Sequence, residues 1–254
     1  NQMYRLNLQA FLYCSVVINT HELIIRQSLI IPLFYICNML KLEDNFKHQG
    51  LRRKLVNTLR EKGISNESVL SAIMHLPRHY FLDETFLKQA YSNMAFQIGA
   101  GQTISHPYTV AFQSSLLEIK KGDKVLEIGT GCGYQTAILM ILGAKIFSVE
   151  RQRSLFDKTK VFLPKIGYKP KLFYGDGYLG KEAFAPFDSI IVTCGAPFIP
   201  DALIQQLKVG GKLVIPVGVG SVQEMKRLVK QEDGSVVVES YGEFSFVPML
   251  QERE

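Results

Sequence analysis

The sequence predicts an α/β fold: a mostly parallel β-sheet with helices on both faces and an antiparallel hairpin at its C-terminal end. Three observations carry this reading. Between Lys124 and Gly218, short apolar strand-like runs alternate with helical patterns, and repeated strand–helix units imply a parallel sheet covered on both faces. A glycine-rich turn, GTGCG at 129–133, joins the first of these strands to its helix. Finally, MKRLVKQ and SVVVES flank a turn at EDG, which is a hairpin signal.

The helices come first in the chain. In 50–62 the apolar positions Leu51, Leu55, Val56 and Leu59 fall on one helical face, and Gly63 ends the run. Ser65 is the expected cap of the next helix, with Glu67 in its first turn. That helix carries Val69, Leu70, Ile73 and Met74 and stops before Pro77. Pro107 suits the first turn of a third helix over YTVAFQSSLLEI. The alternation follows: strand KVLEIG, helix 135–142, strand KIFSVE, helix 154–163, strand KLFYGD, strand DSIIVTCG, helix ALIQQL and strand KLVIPVG. In such a sheet, ligands bind at the carboxyl ends of the strands.

Composition narrows the function classes. The 254 residues suffice for one large domain or two small ones. An apolar content of 47% and a charged content of 20% are ordinary for a globular protein. The net charge of +6 is spread along the chain, with one short cluster at Arg52, Arg53 and Lys54, and reads as solvated surface rather than a nucleic-acid footprint. Cys14, Cys37, Cys132 and Cys194 form no CxxC pair and no zinc-like spacing. They read as free thiols in a reducing compartment, and no metal is expected.

Residues 1–38 differ in texture. Their only Lys, Arg, His, Asp or Glu residues are Arg5, His21, Glu22 and Arg26. Two apolar runs are split by NTHE, and each is shorter than the roughly 20 residues of a membrane span. No small-residue cleavage site follows them. From Met39 the sequence turns charged and helical in period. The expectation is an apolar extension, 1–38, outside the native fold, and a single domain, 39–254; a membrane anchor is the alternative for the extension.

The strongest motif is KVLEIGTGCGYQT, in which Gly129, Thr130, Gly131, Cys132 and Gly133 follow a buried strand. Glycines allow a tight turn and close approach of the backbone to a ligand, and the helix behind them offers free N–H groups. The spacing is GxGxG, with Tyr134 where a dinucleotide site needs a small residue, so a pyrophosphate cofactor is disfavoured. Glu150 ends the second strand and can accept from both ribose hydroxyls. Asp176, in GDG, ends the third and can accept from an adenine amino group. Together these fit S-adenosylmethionine, which carries adenosine and a charged amino-acid tail without phosphate. Glu127 has two open roles: holding the cationic end of that ligand, or orienting the loop.

The chain resembles the protein-L-isoaspartate O-methyltransferases. The likeness rests on GQTISHPYTVAFQSSLLEI, VLEIGTGCGYQTAIL, VERQ, YGDGYLG, FDSIIVTCGAP, LVIPVG and FVPM, and covers about 85% of the chain, from Met39 onward. The resemblance implies a class I methyltransferase fold, a Rossmann-like sandwich with a mostly parallel seven-stranded sheet. It implies cofactor binding by Gly129, Gly131, Gly133, Glu150, Asp176 and Gly177, and an active-site role for Ser105, with Thr103 and Ile104 walling the cofactor pocket. It also implies isoaspartyl-containing proteins and peptides as partners and a monomer; with the free thiols and the spread charge, the expectation is a cytoplasmic protein with no nucleic-acid partner, and no membrane partner for 39–254. Cys132, His106 and Met249 depart from the family's common residues.

The implied reaction methylates the α-carboxyl of an L-isoaspartyl residue. That carboxylate, with an ordinary pKa near 4, is already ionised at neutral pH, so no strong general base is required. Ser105 can orient the acceptor carboxylate or simply cap the helix at Pro107. His106 is disfavoured as a base, His75 and His79 read as local structure, and Cys194 reads as a small pocket-lining residue. Rival readings are a methyltransferase of another acceptor and a non-catalytic S-adenosylmethionine-binding module. A nicotinamide oxidoreductase is disfavoured by Tyr134.

Overall fold

The computed structural model describes residues 43–254; the expectations for residues 1–38 and for a start at Met39 lie outside this range. Asn45 begins the first helix, α1 (Phe46–Glu61), by accepting from His48 N at 3.1 Å. The helix therefore starts one turn earlier than its apolar pattern indicates. The second helix, α2 (Glu67–His75), is capped by Asn66, whose side chain accepts from Val69 N at 3.2 Å. This corrects the expected cap at Ser65: the amide of Asn66 stands one residue nearer the orphan donors of the first turn.

A small antiparallel hairpin, β1 (Phe96–Gly99) and β2 (Gln102–Ile104), has no counterpart in the sequence expectations. It turns through Ala100 and Gly101, both at positive φ, and delivers Ser105 directly to α3 (Pro107–Leu117). The alternating region follows as β3 (Lys124–Ile128), α4 (Tyr134–Ile141), β4 (Lys145–Glu150), α5 (Arg153–Lys165), β5 (Lys171–Tyr174), β6 (Phe187–Val192), α6 (Asp201–Gln205) and β7 (Leu207–Val217). The last strands are β8 (Gln223–Lys230) and β9 (Val236–Phe244).

These seven later strands form one sheet in the order β5-β4-β3-β6-β7-β8-β9. Strands β5 to β7 are parallel; β8 and β9 are antiparallel to their neighbours and complete a meander. Period-two alternation sorts the core. Val125, Ile146, Ile191 and Val214 face Leu117 of α3 and Leu139 of α4. Leu126, Phe147, Ile190, Leu213 and Ile215 face Leu203 of α6. Because β3 lies between β4 and β6, the crossovers leave it in opposite directions, and the crevice at its carboxyl end is the topological switch point. Among the described residues, no helix is long and apolar enough to cross a membrane.

Candidate active site

At that switch point a cleft of about 820 Å³, counted out to its open mouth, is lined by the glycine loop, Glu150, Gly177 and Cys194 from the strand ends, and Thr103–Ser105 from the hairpin side. Val247–Leu250 supply the remaining wall. They are held there because Gly195 N donates to Val247 O and Met249 N to Gly195 O, at 2.8 and 2.7 Å.

The loop is shaped by long-range contacts. Gly129 has φ +95°, and a Cβ there would lie 2.4 Å from Thr193 Oγ1. That hydroxyl donates to both Ile128 O and Gly129 O, at 3.0 and 2.7 Å, tying β6 to the turn. Gly133, at φ +85°, rests against Leu163 of α5. Thr159 Oγ1 donates to Gly131 O at 2.6 Å. On the opposite side, Gly131 N donates to Glu150 Oε2 and Gln152 N to Glu150 Oε1, both at 2.8 Å. Glu150 thus fixes the loop while lining the cleft, and its burial pushes its carboxyl upward despite those backbone donors.

The structure brings Thr103, Ile104, Ser105, Gly129, Thr130, Gly131, Glu150 and Gly177 to the cleft wall. Glu127, Gly133 and Asp176 are not among the wall residues. Glu127 is wholly buried, where its Oε2 accepts from Thr136 Oγ1 at 2.5 Å and Ser148 Oγ at 2.6 Å. Ser148 also meets Thr130 Oγ1 at 2.6 Å. Of the two roles open to Glu127, this geometry fits loop orientation, reached through Ser148 and Thr130. Burial raises its carboxyl to about 7, opposed by the Ser148 and Thr136 hydroxyls. Asp176 caps the short turn Gly177–Leu179: its Oδ1 accepts from Tyr178 N at 2.8 Å and its Oδ2 from Glu252 N at 2.9 Å. Gly177 packs so tightly that a Cβ would lie 2.3 Å from Ile128 Cγ2.

Ser105 does not cap α3. Tyr108 N donates instead to Asn93 Oδ1, at 2.9 Å, and His106 at the cap position makes no side-chain bond. Burial, with the nearby Arg78 charge, lowers the His106 pKa. Burial drives the Cys194 thiol up to about 12 and Cys132 to about 11, so neither is poised as a nucleophile. Sequence reasoning missed Thr193, Gln152 and Asn93. The first two adjoin recognised strand ends, a position that could have flagged them. Asn93 has no local signal, because its partner lies 15 residues away.

The cradle suits a nucleoside joined to its tail without phosphate. The absent Cβ atoms of Gly129 and Gly177 let the two turns pack closely against Thr193 and Ile128 at the cleft wall, Glu150 lines the cleft, and Tyr134 fills the place a pyrophosphate site keeps small. Fold and site together define a class I S-adenosylmethionine-dependent methyltransferase. The family model described as protein-L-isoaspartate(D-aspartate) O-methyltransferase matches residues 50–254, and the chain belongs to that family. The protein-L-isoaspartate O-methyltransferase of Flavobacterium psychrophilum is 57% identical over 213 residues, covering 84% of this chain and 100% of that protein. The one from Christiangramia forsetii is 56% identical over the same extent. A solved protein-L-isoaspartate O-methyltransferase structure superposes with a TM-score of 0.70 at 28% identity, covering 78% of this chain and 65% of that one.

Proposed function

We propose that this protein transfers a methyl group from S-adenosylmethionine to the α-carboxyl of L-isoaspartyl residues in damaged proteins and peptides, the first step of their repair. The observation that supports it best is the convergence of Ser105, which is free of helix capping, on the same cleft as the glycine loop and Glu150. Family membership supplies the acceptor.

Bound S-adenosylmethionine would supply an electrophilic methyl group. Glu150 and the backbone of Gly129, Thr130 and Gly131 would hold its nucleoside, with Gly177 against the ring and Thr103 and Ile104 as the wall. Gly133 keeps the turn tight, Asp176 sets the Gly177 backbone and Glu127 orients the loop from behind. The Ser105 hydroxyl would donate to the acceptor carboxylate and aim it. Since the acceptor is ionised at neutral pH, positioning and exclusion of water carry the rate. Methyl transfer neutralises the acceptor carboxylate, so a water-poor cleft favours it.

In our reading, residues 39–254 are the functional domain, act as a cytoplasmic monomer, and recognise neither nucleic acid nor membrane. The test is transfer from labelled S-adenosylmethionine to paired peptides containing isoaspartate or aspartate. Base-labile labelling of the isoaspartyl peptide alone supports the reading; equal labelling of both, or of neither, overturns it.

A further inference from the structure

Arg78 is fully buried, yet it has no counter-ion. It opens the short turn Arg78–Phe81 and is 0% exposed. Its Nη2 donates to Met94 O at 3.0 Å, whereas Nε and Nη1 have no hydrogen-bond partner. Its guanidinium carbon lies 5.0 Å from the centre of the Tyr134 ring, and the Tyr134 hydroxyl, which interacts with the guanidinium, has no other polar partner. Among the described residues no carboxylate forms an ion pair with it, although Arg52, the other buried arginine, is paired with Asp44. A guanidinium stays protonated in a protein, so the fold encloses an uncompensated positive charge. Leaving a buried charge unpaired opposes folding.

The location suggests what the charge serves. Tyr134 and Cys132, beside the guanidinium, are both cleft-wall residues, as are Thr103–Ser105. The Arg78 charge reaches His106, next to Ser105, and contributes to its lowered pKa. Tyr134 also begins α4, whose N-terminal N–H groups point their positive dipole end the same way. Two positive sources therefore bear on one wall, and among the described residues no carboxylate pairs with the guanidinium.

We propose that Arg78 is a positioning residue for a carboxylate bound at this end of the cleft, acting by charge through the Tyr134–Cys132 wall. The inference rests on the methyltransferase reading above, which offers two such carboxylates: the amino-acid tail of the methyl donor and the acceptor itself. In either case the buried cation completes its charge balance only when the ligand arrives. The two sources differ in kinetics. A cation holding the donor's tail strengthens cofactor binding. A cation holding the acceptor stabilises a charge that disappears in the transition state, so it lowers KM without raising kcat.

The test uses the full chain with Arg78→Met and Arg78→Lys. S-adenosylhomocysteine and its decarboxylated analogue are titrated calorimetrically, and KM and kcat are measured for an isoaspartyl peptide at saturating S-adenosylmethionine. Wild-type affinity for S-adenosylhomocysteine tests the reading of the cleft; the ratio of variant to wild type tests Arg78. If the donor's tail is the ligand, Arg78→Met weakens S-adenosylhomocysteine at least tenfold and the decarboxylated analogue less than threefold. If the acceptor is the ligand, peptide KM rises at least tenfold, with kcat held or increased and S-adenosylhomocysteine binding intact. In both cases Arg78→Lys restores most of the loss, and the melting temperature of Arg78→Met holds or rises. Arg78→Gln, which keeps a donor for Met94 O, serves if the methionine variant does not fold. Equal weakening of both nucleosides, or unchanged binding with unchanged peptide KM, overturns the proposal.

Discussion

Asn93 Oδ1 accepts from Tyr108 N at 2.9 Å and so caps the helix that Pro107 begins. The consequence falls on Ser105: its hydroxyl is released from the structural task that local sequence assigns to it, and it faces the cleft. The two side chains therefore separate stability from chemistry. Asn93→Ala is expected to destabilise the fold by about 1 kcal/mol, the usual value of an N-cap. Ser105→Ala is expected to leave the melting temperature unchanged and lower turnover ~10- to 100-fold, because the acceptor carboxylate loses its aim at the methyl group, with little effect on S-adenosylhomocysteine affinity. Paired thermal melts and initial rates check both; unchanged turnover in Ser105→Ala removes it from the mechanism.

Burial raises the Glu127 carboxyl to about 7 from an ordinary 4.5. An acid with a raised folded pKa keeps its proton in the native state after the unfolded chain has lost it. Its contribution to stability is full below about 4.5, declines as pH rises toward about 7, and is flat above. The whole swing is at most about 3 kcal/mol. Glu127→Gln removes this titration and keeps an oxygen for Ser148 and Thr136. Denaturant melts at pH 4, 6 and 8 should show the glutamine variant gaining on wild type across that window; a constant difference at all three values would contradict the buried, protonated carboxyl.

Gly129→Ala should cost more than 2 kcal/mol, combining strain at φ +95° with a Cβ only 2.4 Å from Thr193 Oγ1. Gly210→Ala is the control, since it has φ +73° but open space around the Cβ; it should cost about 1 kcal/mol. Chemical denaturation of the two variants compares the contributions. Only Gly129→Ala should also abolish binding of S-adenosylhomocysteine.

Glu150→Gln replaces a carboxylate that accepts from two backbone donors, Gly131 N and Gln152 N. An amide can satisfy only one and turns its own N–H toward the other. The expected result is at least a tenfold loss in S-adenosylhomocysteine affinity by calorimetry, with the loop backbone displaced. Wild-type affinity in this variant would show that the carboxylate is dispensable to the cradle.

The sequence by itself determined the strand–helix alternation, the GxGxG loop and the acids at the strand ends. These are local patterns: a buried strand, a turn that only glycine tolerates, and a carboxylate at a fixed distance along the chain. The resemblance to the methyltransferase family was legible for the same reason, since its motifs are short and contiguous. Tertiary structure decided the rest. The order of the last strands depends on β8 and β9 pairing as a meander, and the β1–β2 hairpin is only a few residues of weak pattern. Glu127 lies behind the loop because alternate residues of β3 face opposite sides, and its partners Ser148 and Thr136 come from other elements. Asn93 takes the cap from Ser105 across 15 residues, and Arg78 is brought behind the cleft by packing of its turn against Tyr134. Such relationships are set by which surfaces the core brings together, and no window along the chain contains them.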